Sequence, residues 1–368
     1  MSSKHWRETN GIQKNSSADV FSAHRNGNAD LWHLAGGGSD CFFKKQSVCV
    51  WSVLELAKNK QINKKNVHPL ARFRGWIQAA AALLTNMHLP NFLNGSLNRG
   101  KGKYACVPGL NCYSCPGAAG SCPIGAFQAV VGSSKFKFSY YVTGILILLG
   151  VLLGRFICGF LCPFGWFQEL LHKIPSPKLS TRKLKPLRYL KYGILLVMVI
   201  LLPMVVVNEL GMGDPFFCKY LCPQGVLEGA IPLSITNEGI RAALGVLFSW
   251  KAFVLLAVIL GSVFFYRPFC KWLCPLGAFY ALLNRVSLFQ MKVDKDKCVS
   301  CGACAKACKM DVDVTKQPNH AECIRCGMCM KSCPTHAISY RYGFGDLSSK
   351  RNDTEKKEHK KMKNEKEI

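Results

Sequence analysis

Acidic residues are scarce in this sequence. Asp and Glu number 21 against 48 Lys and Arg, a formal net charge of +27 over 368 residues. Such an excess of base suits either nucleic acid or the anionic face of a membrane. Charge of either sign is missing altogether from residues 138–154 (FSYYVTGILILLGVLLG) and 192–208 (YGILLVMVILLPMVVVN), and residues 242–266 carry only Lys251. Each run is close to the roughly 20 apolar residues that a bilayer crossing needs. A membrane is therefore the expected partner, and nucleic acid is not. A further run, 75–97, has no charge but contains Gln, Asn and His; it is read as the first of four spans.

Other absences narrow the chemistry. The first 70 residues show no charged n-region followed by an apolar h-region, so no secretory signal is expected. Without that context, 20 cysteines in tight groups point away from a disulfide scaffold and towards metal. The stretch GSLNRGKG (95–102) imitates a phosphate loop, but Gly102 stands where Ser or Thr would hold magnesium, and no strand precedes it. A haem needs placed histidines; only His88 falls inside a predicted span, where a polar packing role is the simpler reading. Cys41 and Cys49 lie alone in the polar N-terminal region and are expected to bind nothing.

What is present is cysteine in repeated words. CVSCGACAKACK supplies Cys298, Cys301, Cys304 and Cys308; CIRCGMCMKSCP supplies Cys323, Cys326, Cys329 and Cys333. This is C-x2-C-x2-C-x3-C written twice. Three closely spaced thiolates hold three corners of a cubane, and the fourth cysteine reaches the other cluster. The expected sets are Cys298, Cys301, Cys304 and Cys333 for one [4Fe–4S] cluster, and Cys323, Cys326, Cys329 and Cys308 for the other. Zinc ribbons use paired C-x2-C words instead. Lys309 replaces the usual Pro after the fourth cysteine of the first run, which loosens a turn but removes no ligand.

A second word, Cys-x-x-x-Cys-Pro-x-Gly, occurs three times: RFICGFLCPFG (155–165), PFFCKYLCPQG (215–225) and RPFCKWLCPLG (267–277), each beside an apolar segment. Cysteines at i and i+4 share a helix face, so one copy supplies two thiolates and a cubane needs two copies. Placing the ferredoxin in the cytosol puts the loop 155–191 inside, together with both termini. Lysine and arginine counts agree there: eight basic residues accompany one acid, Glu169, whereas 209–241 holds four acids and two bases. The loop 98–137 disagrees, being basic while predicted outside. On this topology Cys158, Cys162, Cys270 and Cys274 meet at the inner face. Cys218 and Cys222 fall outside with CVPGLNCYSCPGAAGSCPIG (106–125). An outer cluster would draw four ligands from Cys106, Cys112, Cys115, Cys122, Cys218 and Cys222; Cys112, Cys115 and Cys122 are favoured with at least one of the last two. Disulfides compete for the outer thiols.

The spans, the CGFLCP and CKWLCP words and the double ferredoxin resemble the polyferredoxin-type 4Fe-4S membrane protein family. That family includes the ferredoxin-type membrane subunit of periplasmic nitrate reductase systems, the membrane part of the nitrous-oxide-reduction regulator, and the copper reductase of cytochrome oxidase assembly. The resemblance covers about residues 72–340 and implies four-span membrane electron transfer. The chain departs from it in the third Cys-x-x-x-Cys-Pro copy, in the cysteine-rich outer loop, and in lacking a recognisable flavin-attachment domain.

The expected architecture is an all-α polytopic membrane domain of about four transmembrane helices, followed by a small α+β 2[4Fe–4S] ferredoxin domain. Its parts are a polar N-terminal region (1–70), the membrane domain (71–290), the ferredoxin (291–342) and a charged tail (343–368). Expected cofactors are two clusters in the ferredoxin, one inner and one outer. The expected function is electron transfer between a cytosolic donor, such as a ferredoxin or flavoprotein, and an outer-face flavin or metal protein. A quinone is a further candidate partner beside membrane lipid. Expected location is the plasma membrane of a prokaryote. No catalytic acid, base or nucleophile is called for. The competing class is an assembly or metal-handling factor whose outer thiols reduce copper or a client disulfide; a third reading is a membrane anchor whose ferredoxin alone works.

Overall fold

The computed structural model describes residues 68–133, 139–209 and 211–343. The bulk of the polar N-terminal region, with Cys41 and Cys49, and the charged tail lie outside the described residues. Among those residues the chain is mostly helical, with one two-stranded sheet.

Two helical stretches, Arg182–Val205 and Val246–Phe264, are long and apolar enough to cross a membrane. Only 28% and 22% of their apolar windows are buried. Leu247, Phe253, Leu256 and Leu260 instead face outward, whereas a core helix of a soluble protein turns its apolar stripe inward. The other two expected spans are shorter than their apolar runs. The helix Arg74–Thr85 ends at Asn86, and Pro90 opens a separate turn, Pro90–Asn94. Tyr140–Leu153 has 14 residues, roughly 21 Å at the usual rise, less than a bilayer core of about 30 Å.

Each Cys-Pro pair breaks the backbone in the same way. Cys162, Cys222 and Cys274 have φ/ψ of −87/115°, −76/114° and −73/110°. A fourth residue, Cys122, matches them at −66/124°. Proline forbids the preceding residue the helical region and suits the first helical position itself. So Cys122, Cys162 and Cys274 each cap a new helix: Pro123–Gly132, Pro163–Leu171 and Pro275–Leu283. Cys222 leads through Pro223 into a wider helical turn, Gly225–Ala230, and then an α-helix, Ile231–Thr236. The sequence CPIG at 122–125 is thus a fourth copy of the word's second half, with Ala118 where a leading cysteine would stand.

One hydrophobic core ties these motif helices together through Leu110, Ile124, Phe164, Phe217 and Phe269, and continues into Met310, Val312 and Ile324 of the ferredoxin segment. A smaller core gathers Met291, Cys304, Val314, Met330, Cys333 and Ile338. There β1 (Phe289–Val293) pairs antiparallel with β2 (Ile338–Tyr342), Met291 opposite Tyr340. Between the strands the two cysteine runs repeat one backbone course. Ser300 and Gly302 have φ of 51° and 70°; Arg325 and Gly327, at the same places in the second run, have 52° and 75°. Asp311 and His336, ten residues after the second cysteine of each run, complete the match at 55° and 51°. Such left-handed residues turn successive N–H groups towards one anionic centre.

Candidate metal centres

Three cavities among the described residues are each walled by four cysteines. Cys158, Cys162, Cys270 and Cys274 line one, with Gly109, Leu110, Phe164 and Phe269. Cys308, Cys323, Cys326 and Cys329 line the second. Cys112, Cys122, Cys218 and Cys222 line the third, with Leu110, Gln224 and Lys251. The first two are small, about 10 and 20 Å³, whereas the third is about 460 Å³. Among the described residues no disulfide forms, and no three His, Cys, Asp or Glu converge as ligands of a single ion. The thiols ring a space instead of meeting at a point. Four thiols around an apolar cavity fit a cubane in donor number and chemistry.

The inner ring draws two cysteines from each of two motifs, and each motif grips the other. Arg155 and Arg267 stand three residues before Cys158 and Cys270, and both are fully buried. Arg155 donates to the Cys270 carbonyl at 3.5 Å, and Arg267 donates to the Cys158 carbonyl. Both guanidinium groups are balanced by carboxylates outside the ring. Arg267 pairs with Glu169 at 3.0 Å, and Glu169 also meets Arg74. Arg155 pairs with Glu322 at 2.6 Å, which Lys191 approaches at 2.5 Å. Burial alone would raise the Glu322 carboxyl, but Arg155 and then Lys191 hold it down at about 2. Burial likewise works against Glu169, whose carboxyl Arg267 and Arg74 bring to about 2. Positive charge of this kind favours thiolate over thiol.

The outer ring takes Cys122, Cys218 and Cys222 from its motifs, and Cys112 where a leading cysteine is missing. Glu228 accepts from the backbone N–H of Cys112 at 3.2 Å. Burial pushes its carboxyl up to about 7, although the Cys112 N–H lowers it. Cys115 does not line this cavity; it is buried and its thiol donates to Asn86 Oδ1 at 3.3 Å. Cys106 stands apart as well, partly buried against the main core. In the ferredoxin segment, Cys304 and Cys333 share the smaller core with Cys298 at its edge, and Cys301 is exposed.

The rings adjoin. Gly159, between Cys158 and Cys162, lies under the Ile324 carbonyl, between Cys323 and Cys326; a Cβ there would stand 2.3 Å from that oxygen. Asn284 donates to the carbonyls of His320 and Cys323 at 2.8 and 3.1 Å. Arg325 reaches back to the carbonyls of Leu153 and Asn284 at 2.8 and 2.7 Å. On the other side, Leu110 lines both the inner and the outer cavity. The loop expected to lie across the membrane therefore folds onto the inner ring: a Cβ at Gly109 would be 2.8 Å from the Cys162 Cα.

Sequence reading alone missed the arginines, the half-copy at Cys122, and the glutamines Gln128 and Gln168. The signal was present in the words CPIGAFQ (122–128) and CPFGWFQ (162–168), which share five of seven residues.

Comparison with known proteins bears on the same segments. One family profile, described as a 4Fe-4S binding domain, matches four times, at residues 121–141, 138–182, 192–231 and 246–295. A second profile of the same description matches at 291–312 and 317–339. An uncharacterised protein of Methanocaldococcus jannaschii is 30% identical over 210 residues, 54% of this chain and 77% of that one. A putative electron transport protein, YccM of Escherichia coli, is 25% identical over 179 residues, 46% and 45% of the two chains. The methylamine utilization ferredoxin-type protein MauN of Paracoccus denitrificans is 27% identical over 184 residues, 50% and 55%. The match thus spans about half the length of these last two relatives. No solved structure matches.

Proposed function

Because the chain belongs to the family of 4Fe-4S ferredoxin-type proteins, we propose that it is a membrane-bound electron carrier holding four [4Fe–4S] clusters in a row. Its ligand sets are Cys298, Cys301, Cys304 and Cys333; Cys308, Cys323, Cys326 and Cys329; Cys158, Cys162, Cys270 and Cys274; and Cys112, Cys122, Cys218 and Cys222. Cys115 stays outside the last set. When bound, such a cluster supplies one-electron oxidation and reduction, at a potential set by charge, hydrogen bonds to sulfur and exposure. The chain's own part is to fix positions, exclude water and set charge around each ring. Arg155 and Arg267 offset the negative charge of the inner ring's thiolates, and Glu322 and Glu169 keep those arginines from being buried unpaired.

One observation carries the reading: neighbouring rings share a wall. Ile324 against Gly159 joins the ferredoxin to the inner ring, and Leu110 joins the inner ring to the outer. A protein that used only its ferredoxin would have no need of that continuity. Four membrane passages, with both termini and the ferredoxin in the cytosol, complete the proposal. The apolar, outward-facing helices Arg182–Val205 and Val246–Phe264 support lipid contact. The partners are a cytosolic donor beside the exposed Cys301 and an acceptor at the wide outer cavity. Electron passage from a cytosolic donor to an outer acceptor in sealed vesicles tests this. Cys222→Ala should stop it, and unchanged passage would leave a protein that works on its cytosolic side alone.

A further inference from the structure

The residue six places after the last cysteine of each Cys-Pro word is Gln128, Gln168, Glu228 and Tyr280 in turn. Each of the four side chains reaches another segment of the chain. Glu228 takes the Cys112 N–H at 3.2 Å, and the Tyr280 hydroxyl donates to the Pro108 carbonyl at 3.0 Å. The two glutamines go further and reach sulfur. Gln128 Nε2 donates to Cys218 Sγ at 3.1 Å, and Gln168 Nε2 donates to Cys270 Sγ at 3.2 Å. In each case the acceptor is the leading cysteine of the partner motif.

The two amides are held alike through nitrogen and differ at oxygen, where Gln168 Oε1 has no hydrogen-bond partner among the described residues. Gln128 Nε2 also donates to its own helix at the Ile124 carbonyl, 3.3 Å away; Gln168 Nε2 does the same at Phe164, 3.4 Å away. One N–H thus anchors the amide to its helix, which leaves the other for sulfur. Gln128 Oε1 accepts from the Phe217 N–H at 3.0 Å, one residue before its cysteine. Both side chains are fully buried, so neither contact has competition from water. Two separate segments of the chain bury an amide with the same pair of bonds at nitrogen.

We propose that Gln128 and Gln168 are matched positioning residues for the two membrane rings, each setting the potential of its own cluster through an N–H···S bond to the leading cysteine of the opposite motif. The inference rests on the ligand sets proposed above. An amide donor stabilises negative charge on sulfur, and the reduced cluster carries more of it, so the bond favours reduction. The rings differ at the remaining position: the outer has the carboxyl of Glu228, the inner the hydroxyl of Tyr280. With like amides but unlike second residues, the two rings would sit at different potentials.

The test is redox titration followed by electron paramagnetic resonance, on anaerobically purified full-length protein with iron counted for each sample. Gln168→Leu and Gln168→Glu remove the donor, and Glu keeps the length. Each should move one signal to more negative potential, further in the Glu variant, and leave the remaining signals in place. Gln128→Leu and Gln128→Glu should do the same to a different signal. Gln290→Leu is the control: the Gln290 amide donates to the Ser287 carbonyl at 2.9 Å and not to sulfur, so its signals should stay put. Unshifted potentials in iron-replete Gln168 and Gln128 variants would overturn the proposal, as would equal shifts in Gln290→Leu. Fewer than three signals at full iron content in wild type would instead remove the ligand sets on which it stands.

Discussion

Gly159 and Ile324 are 165 positions apart, yet the Gly159 Cα faces the Ile324 carbonyl so closely that a methyl group would stand 2.3 Å from the oxygen. Each residue lies between two cysteines, in the motif of the inner ring and in the second ferredoxin run. The contact is therefore a seam between two candidate clusters, and its width is set by the absence of one side chain. Arg74 and Gln78 close it from beneath by donating to the Gly159 carbonyl at 3.0 and 2.9 Å.

Widening the seam should slow transfer without removing ligands. Gly159→Val should cost about 1–3 kcal/mol through overpacking and push the ferredoxin outward. Iron content should match wild type. Stopped-flow reduction from a cytosolic donor should show ferredoxin signals appearing at the normal rate and the inner signal lagging. Simultaneous appearance of both would mean that the seam does not limit the path.

Ligand membership predicts which substitutions fall together. The full protein should hold about sixteen irons. Cys162→Ala and Cys274→Ala should each remove the same resonance and about four irons, sparing the ferredoxin. Cys222→Ala and Cys112→Ala should remove another. Cys115→Ser should remove none, because its thiol turns to Asn86. Loss of the outer signal in Cys115→Ser, with Cys112→Ala silent, would exchange the two residues.

The Glu322 ion pairs predict a pH dependence with a definite sign. The carboxyl is held near 2 against an ordinary 4.5. Its pairs with Arg155 and Lys191 therefore stabilise the fold fully above pH 4.5, and that contribution is lost as pH falls through about 2. Glu322→Gln should lower Tm most near pH 7, and the gap from wild type should close towards pH 2. A gap that stays constant with pH would assign the loss to packing and not to charge.

Sidedness can be read with an impermeant thiol reagent. In intact cells Ser234→Cys should label and Ser180→Cys should not, following the lysine and arginine asymmetry. The reverse result would turn the protein over in the membrane and place the ferredoxin outside.

The chemistry was legible in the sequence because cysteine spacing is local. Three residues between two cysteines put both thiols on one helical turn, and a following proline ends that turn wherever the chain later goes. The doubled ferredoxin runs, the pairing of Cys158 with Cys162 and of Cys270 with Cys274, and the apolar stretches all follow from such near-neighbour rules. Membership of the outer ring does not. Whether Cys112 or Cys115 faces Cys218 depends on how the loop 106–122 packs on Asn86, Glu228 and the inner motif, and those contacts span up to 116 positions. The same holds for Arg155, Arg267, Gln128 and Gln168: each acts on a motif between 90 and 115 residues away. Side-chain type announces what such a residue can donate. Only the tertiary structure, by packing one motif against another in a dry interior, decides what receives it.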